Sequence, residues 1–236
     1  MGLKLEVCVD TAEGLAVAIA GGADRIELCA ALSLGGLTPS AGLMALAAKA
    51  PVPVMAMIRP RAGDFLWSEA EVGMMEAEIA GARAAGLAGV VLGASRPDWR
   101  LDEAVLRRLV AAAKGMDLTL HRAFDLVPDM DEAMETAIEL GFARVLTSGG
   151  AVSVAEGLQR IAGLALHAGN RIGIMPGAGI NPSLVPALKS LGISELHASC
   201  SSPMPGQDRL AALGLAPAGL RHTDAAKLQA LRKAMG

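Results

Sequence analysis

A chain of 236 residues with 53% hydrophobic content can bury a substantial core, and its length suits a single α/β domain. Five aromatic residues (three Phe, two Trp, no Tyr) and a net charge of −3 offer neither a base-stacking surface nor a basic footprint, which excludes nucleic-acid binding. The chain goes directly into strand-like alternation, with no long apolar leader region and no uncharged stretch of about 18 residues, so a soluble, cytoplasmic protein without membrane contact is expected.

Short β-branched runs then alternate with Ala/Leu-rich helical patterns. A strand is predicted over 4–9 with a helix over 11–20, a second over 24–29 with a helix over 39–49, a third over 52–59 with 68–85, and a fourth over 88–93 with 102–113. The pattern continues with strands over 116–121, 143–148, 171–176 and 194–199 and helices over 129–140, 153–168, 181–190 and 222–234. Eight strand-then-helix units make residues 1–236 one (β/α)8 domain, a TIM barrel of the α/β class, with a long loop at about 200–221 before the last helix. A doubly wound open sheet is the alternative arrangement of the same elements. Glycines recur just ahead of the even-numbered strands, at Gly21-Gly22, Gly86, Gly141 and Gly192, where each can end a helix and return the chain to the barrel floor.

Side chains alternate across a strand, so if Leu5, Val7 and Val9 face the helices, Glu6, Cys8 and Asp10 face the barrel axis. The same parity sends Arg25, Glu27 and Cys29 inward from the second strand, Met55, Met57 and Arg59 from the third, Thr119 and His121 from the fifth, and Glu195, His197 and Ser199 from the eighth. Barrel interiors are usually filled by branched aliphatic residues, so this charged inner face needs mutual pairing. A buried ion network would satisfy it. Because barrel enzymes place their sites at the C-terminal strand ends, the same residues also form a candidate pocket.

In that pocket Glu27, His121 and Asp125 are the candidate catalytic residues, Glu27 or His121 for proton transfer, while Arg59 and Arg122 could hold a negative charge; Glu6 and His197 are further pocket residues. Thr147-Ser-Gly-Gly150 follows the sixth strand, and Pro176-Gly-Ala-Gly-Ile-Asn181 follows the seventh and leads into a helix. Backbone amides at Ser148, Gly149, Gly177 and Gly179 could receive an anion there, although such runs also serve as plain tight turns. The expected ligand is a metal ion or a small anionic, perhaps phosphorylated, metabolite. Three widely spaced cysteines (Cys8, Cys29, Cys200) fit neither a disulfide framework nor a zinc pattern. Cys8, Cys29, Met55, Met57 and Met175 could offer soft donors to Cu(I), but with 12 Met and so few aromatics, methionine serves first as core filler.

Several motifs in order carry a resemblance: Glu6-Val-Cys-Val-Asp10, Gly21-Gly-Ala-Asp-Arg-Ile-Glu-Leu-Cys29, Gly35-Gly-Leu-Thr-Pro-Ser40, Met57-Ile-Arg-Pro-Arg61 with Gly63-Asp-Phe65, His121-Arg-Ala-Phe-Asp125, Leu146-Thr-Ser-Gly149 and Ile174-Met-Pro-Gly177. From about residue 4 to residue 200 the chain resembles the CutC copper homeostasis family. The resemblance implies a (β/α)8 barrel, a cytoplasmic location, assembly as a homodimer or higher homo-oligomer, and a role in copper homeostasis. It further implies Cys8 and Cys29 as Cu(I) ligands, and on a copper-binding reading Met57 or His121 could assist them. A copper-binding protein and an enzyme acting on a small anion are thus both expected, and a scaffold without catalysis would leave the inward charges unused.

Overall fold

The computed structural model describes residues 2–217 and 219–236. Its first half runs β1 (Lys4–Val9), α1 (Ala12–Ala20), β2 (Arg25–Leu28), α2 (Ala41–Ala47), β3 (Val54–Met57), α3 (Glu69–Ala84), β4 (Gly89–Leu92) and α4 (Glu103–Ala112). The second half continues with β5 (Asp117–Leu120), α5 (Met130–Glu139), β6 (Arg144–Thr147), α6 (Val154–Ala168), β7 (Gly173–Pro176), α7 (Val185–Ser190) and β8 (Glu195–Ala198). All seven neighbouring pairs of the eight-stranded sheet are parallel, in the order β7-β6-β5-β4-β3-β2-β1-β8, and a parallel bridge from Gly177 to His197 joins β7 to β8. The sheet therefore closes into a (β/α)8 barrel, and the open doubly wound arrangement is excluded.

Hydroxyl and carboxylate side chains start the helices by accepting the first free backbone N–H groups. Thr11, Ser40, Asp102, Asp129 and Ser153 do so for α1, α2, α4, α5 and α6, and Ser68 forms a reciprocal capping box with Glu71 at α3. The outward strand residues, such as Leu5, Val7, Ile26, Leu28, Val90, Leu92, Leu120 and Val145, are buried against the helix ring in one continuous core. Each contributes roughly 1.5–3 kcal/mol by leaving water. Inside the barrel lies a second, smaller apolar cluster of Cys29, Met55, Met57 and Val91. Met55 reaches across to β4, where a Cβ on Gly89 would overlap both its methyl group and the Asp117 carbonyl oxygen. Gly89→Ala should therefore cost about 1–3 kcal/mol through overpacking, read as a lower midpoint in urea unfolding.

The stretch expected as a loop over about 200–221 contains three short elements among its described residues. β9 (Ser201–Pro203) pairs antiparallel with β10 (Arg221–Thr223), and α8 (Asp208–Ala212) lies between them. The last helix, α9 (Ala225–Met235), starts three residues later than the predicted 222, because Arg221–Thr223 is drawn into the ribbon and Asp224 caps the helix by accepting from Ala226 and Lys227. No helix among the described residues is long and apolar enough to cross a membrane.

Candidate functional site

At the barrel floor the inward charges form a paired network. Arg25 bonds Glu6 and, at 2.6 Å, Glu195; Arg144 bonds Asp117 at 2.7 Å and the Thr119 hydroxyl at 2.9 Å, and its Nε lies 3.1 Å from Glu195. Three carboxylates thus face two guanidinium groups, which makes an interior that lacks the usual aliphatic filling tolerable. Arg144 escaped the sequence reading, yet with Val145 packed outward in the core the period of two points Arg144 inward.

Above this floor the charges stop being balanced pairwise. Glu6 Oε1 lies 2.8 Å from His197 Nδ1, and the other ring nitrogen lies 3.7 Å from Glu27 Oε2. The Cys29 thiol donates to Glu27 Oε2 at 3.5 Å, whereas Glu27 Oε1 is buried without a partner. Burial pushes the Glu6 carboxyl up, but its hydrogen bond to His197 and the Arg25 charge outweigh this and hold it at about 2. Burial would lower His197, yet Glu27, Cys8 and Glu6 together raise it well above the ordinary imidazole value. Glu27 itself is raised, by burial first and by the Glu6 charge second. His197, whose proton affinity is raised, thus stands between a carboxylate held ionised and one that holds its proton more tightly than usual. A thiol, a carboxyl oxygen and a ring nitrogen from Cys8, Glu27 and His197 lie within 4.8 Å of one another.

At the barrel mouth Arg59 is held by three backbone carbonyls, Leu34 at 3.0 Å, Gly36 at 3.1 Å and Gly63 at 2.8 Å, and its guanidinium lies over the Phe65 ring at 5.0 Å. Phe65 also packs on His121, with ring centroids 4.6 Å apart. The His121 ring lies directly over Gly93, where a Cβ would overlap it, so β4 leaves room for the imidazole. Burial, assisted by the Arg59 charge, lowers the His121 pKa to about 3. Its Nδ1 accepts the Ala123 amide at 3.1 Å, while His121 Nε2 and Arg59 Nε are buried without partners.

Asp125 occupies a different place. Its carboxylate accepts from the Thr147 hydroxyl at 2.5 Å, the Ser148 amide at 3.1 Å, the Ser148 hydroxyl at 3.0 Å, the Gly150 amide at 3.0 Å and Arg122 Nε at 2.6 Å. The glycine-rich turn after β6 therefore already encloses an anion, the protein's own. Gly149 donates to the Thr147 hydroxyl at 2.9 Å and Gly177 to the Thr147 carbonyl at 2.9 Å. Of the residues expected to receive an anion, Arg59, Arg122 and Gly179 line the cavity at the barrel mouth, and Ser148, Gly149 and Gly177 face the Asp125 knot and the sheet instead.

That cavity, about 490 Å³, opens at the C-terminal strand ends and is lined by Cys8, Asp10, Glu27, Arg59, Phe65, His121 and His197. Cys29 lies behind Glu27, packed with Met55, Met57 and Val91, and burial raises its thiol pKa well above the ordinary value. Cys200 is also buried, which raises its thiol to about 11. The ribbon contributes Ser201, Arg221, His222 and Thr223 to the rim. The sequence carries no alternation over these three-residue strands that could have signalled them.

Comparison with known proteins places this geometry in a family. The CutC family profile matches residues 3–202. A CutC family protein of Rhizobium meliloti strain 1021 is 57% identical over 232 residues, covering 98% of this chain and 95% of the relative, and one of Caulobacter vibrioides strain NA1000 is 53% identical over 235 residues, covering 98% and 96%. A solved CutC structure from Streptococcus agalactiae, provisionally assigned to copper homeostasis, superposes with a TM-score of 0.80 at 30% identity, over 84% of this chain and 99% of that one. A thiamine phosphate pyrophosphorylase of Pyrococcus furiosus, at 14% identity and a TM-score of 0.59 over 99% and 95% of the two chains, shares the fold alone. The chain belongs to the CutC family.

Proposed function

We propose that this CutC-family barrel is an enzyme acting on a small anionic metabolite bound at the C-terminal strand ends, with Glu27 moving a proton and His197 setting its charge. One observation carries the reading. Glu27 Oε1, Arg59 Nε and His121 Nε2 are buried polar atoms without partners, and all three residues line one cavity. Each such atom costs about 1–3 kcal/mol when left unmatched, and three of the five left so among the described residues belong to side chains that line this space, a concentration that supports a site kept for a ligand. Glu27 and His197, both with raised pKa values, form the acid–base pair, and the cationic side chains of Arg59, Arg122 and Arg221 draw in negative charge. A thermal-shift screen over phosphorylated and carboxylated metabolites tests this. A ligand at about 100 times its Kd adds about 2.7 kcal/mol, which for a domain of this size raises Tm by several degrees. A flat response across the library, with a rise only for copper, would overturn the reading.

A second reading rests on the grouping of Cys8, Glu27 and His197. Glu6 bonds the far ring nitrogen of His197, the support that orients histidine ligands of metals. These donors suit a borderline cation such as Cu(II) or Zn(II), which would polarise a ligand oxygen or be carried as cargo. The Cys8 and Cys29 pair fits Cu(I) less well, because the buried Cys29 thiol holds its proton and donates it to Glu27. On the metal reading Cys8→Ser weakens binding and Cys29→Ser leaves it nearly unchanged.

A further inference from the structure

We infer that residues 205–217 form a lid, which closes over the barrel mouth by laying Leu210, Leu213 and Leu215 on Leu34. The inference rests on the cavity being a small-molecule site and adds the device that shuts it. The root of this segment is part of the cavity wall, since Leu220, Arg221 and His222 line the mouth on the returning strand of the ribbon and Ser201 on the outgoing one. The root is also tied down. The Met204 amide donates to the Leu220 carbonyl at 2.7 Å, Arg221 Nε to the Ser201 hydroxyl at 2.8 Å, and Lys227 Nζ to the Ser201 carbonyl at 2.8 Å.

Beyond the root the chain holds only itself. Among the described residues, every hydrogen bond made by 205–217 is internal, as from the Ala211 amide to the Gln207 carbonyl and from the Leu215 amide to the Leu210 carbonyl. None of these residues is buried, and α8 has no side-chain cap. Yet Leu210, Leu213 and Leu215 are 41%, 63% and 72% exposed, an apolar patch on a helix too short to persist on propensity alone. Such a segment has low local stability and gains packing only in another position. Gly206 and Gly219, both at a φ of 74°, stand at its two feet with open space around them, which suits a hinge.

The surface for that position stands opposite. The sheet order β8-β1-β2 puts the turn after β2 across the end of β1 from the ribbon. In that turn Leu32, Ser33 and Gly35 line the same cavity, and Leu34 is 50% exposed. Leu34 and the three lid leucines therefore flank one opening. Bringing them together removes both apolar patches from water and leaves Glu27 and His197 under a dry cover, the condition in which proton transfer is shielded from solvent. Closure within one chain is favoured over docking of a second copy, because both faces are rooted in the wall of one cavity.

Disulfide trapping in the full chain tests this. Leu34→Cys/Leu213→Cys, oxidised with diamide at low protein concentration, should form a disulfide within one chain, read by mass spectrometry of a non-reducing digest. Leu166→Cys/Leu213→Cys should form none, since Leu166 lies in the last turn of α6, at the floor end. The parent, whose three cysteines are free and buried, gives the blank. Adding Leu210→Ser/Leu215→Ser to the trapping pair should cut the yield at least about fivefold and leave Tm unchanged, because these side chains pack only on closure. The backbone amides of Ala178, Gly179 and Ile180, residues that line the mouth, meet no acceptor among the described residues and so exchange freely. In the trapped protein their hydrogen exchange should slow at least about tenfold and recover on reduction. Disulfides formed only between chains would assign the leucines to a second copy and overturn the lid. So would the absence of a disulfide, a yield unmoved by the serine substitutions, or unchanged exchange in the trapped protein. No ligand is used, so failure here is separable from a flat thermal-shift screen, which would count against the cavity as a small-molecule site.

Discussion

Glu6→Ala should lose about 3–5 kcal/mol of folding stability, the cost of leaving buried cations without their anion. Its carboxylate is fully enclosed, bonds Arg25 on one side and accepts from His197 on the other. Against a typical total of about 5–15 kcal/mol, that loss places the variant near the edge of folding. Glu6→Gln keeps the volume and one acceptor, so it should lose less. The pH dependence follows the same residue. Glu6 titrates at about 2 in the folded chain against 4.5 for the unperturbed group. Its stabilisation is therefore complete above about 4.5 and disappears as the pH falls toward 2. His121 acts in the same direction. With its pKa lowered from 6.5 to about 3, the unfolded chain takes up a proton that the folded chain refuses, and stability falls as the pH drops from 6.5 toward 3. Urea unfolding between neutral pH and pH 3 should thus show a steady decline in the parent and a flatter one below 4.5 in Glu6→Gln. Unfolding of Glu6→Ala within about 1 kcal/mol of the parent at neutral pH would mean that the floor network adds little.

Glu27→Gln should have the largest effect on function and almost none on folding. The parent already holds a buried carboxyl oxygen without a partner, and an amide of the same shape exchanges one unmatched polar atom for another, so Tm stays close to that of the parent. Proton transfer, by contrast, is lost, and a general acid or base typically contributes about 10²–10⁴ in rate. His197 should also become easier to deprotonate, since Glu27 is the leading influence that raises its pKa. The two variants separate cleanly: Glu6→Ala fails in urea, and Glu27→Gln fails only in ligand-dependent assays. A Glu27→Gln protein with full activity toward an identified substrate would remove Glu27 from the chemistry.

Strand parity made much of this site legible. The period of two placed Glu6, Cys8, Arg25, Glu27, Arg59, His121 and His197 on inward faces, and the closed sheet then brings residues from β1, β2 and β8 into contact across 191 positions of sequence, as in the Glu6 to His197 bond. Parity does not give height along the barrel axis. Cys29 shares the inward face with Glu27 but packs among Met55, Met57 and Val91, whereas Cys8 is grouped with Glu27 and His197. Nor does it reach beyond the strands. Asp125 lies in a single 3-10 turn (Arg122–Leu126), where no period of two applies, and its capture of the Ser148 and Gly150 amides could be seen only once the β5 and β6 ends stood side by side. The β9 and β10 ribbon stayed hidden for the same reason, because its partners lie about 20 residues apart in segments too short to show a pattern.

The central claim is that the cavity is kept for a small organic ligand and not for copper alone. Native mass spectrometry tests it most directly, on the parent chain and the Cys8→Ser/Cys29→Ser variant, each incubated with pools of small carboxylated and phosphorylated metabolites and, separately, with Cu(I) under reducing conditions. The expected result is one organic adduct per chain on both proteins, since Glu27, Arg59 and His121 remain in place. Copper alone on the parent, lost from the cysteine variant, with no organic adduct on either, would contradict it.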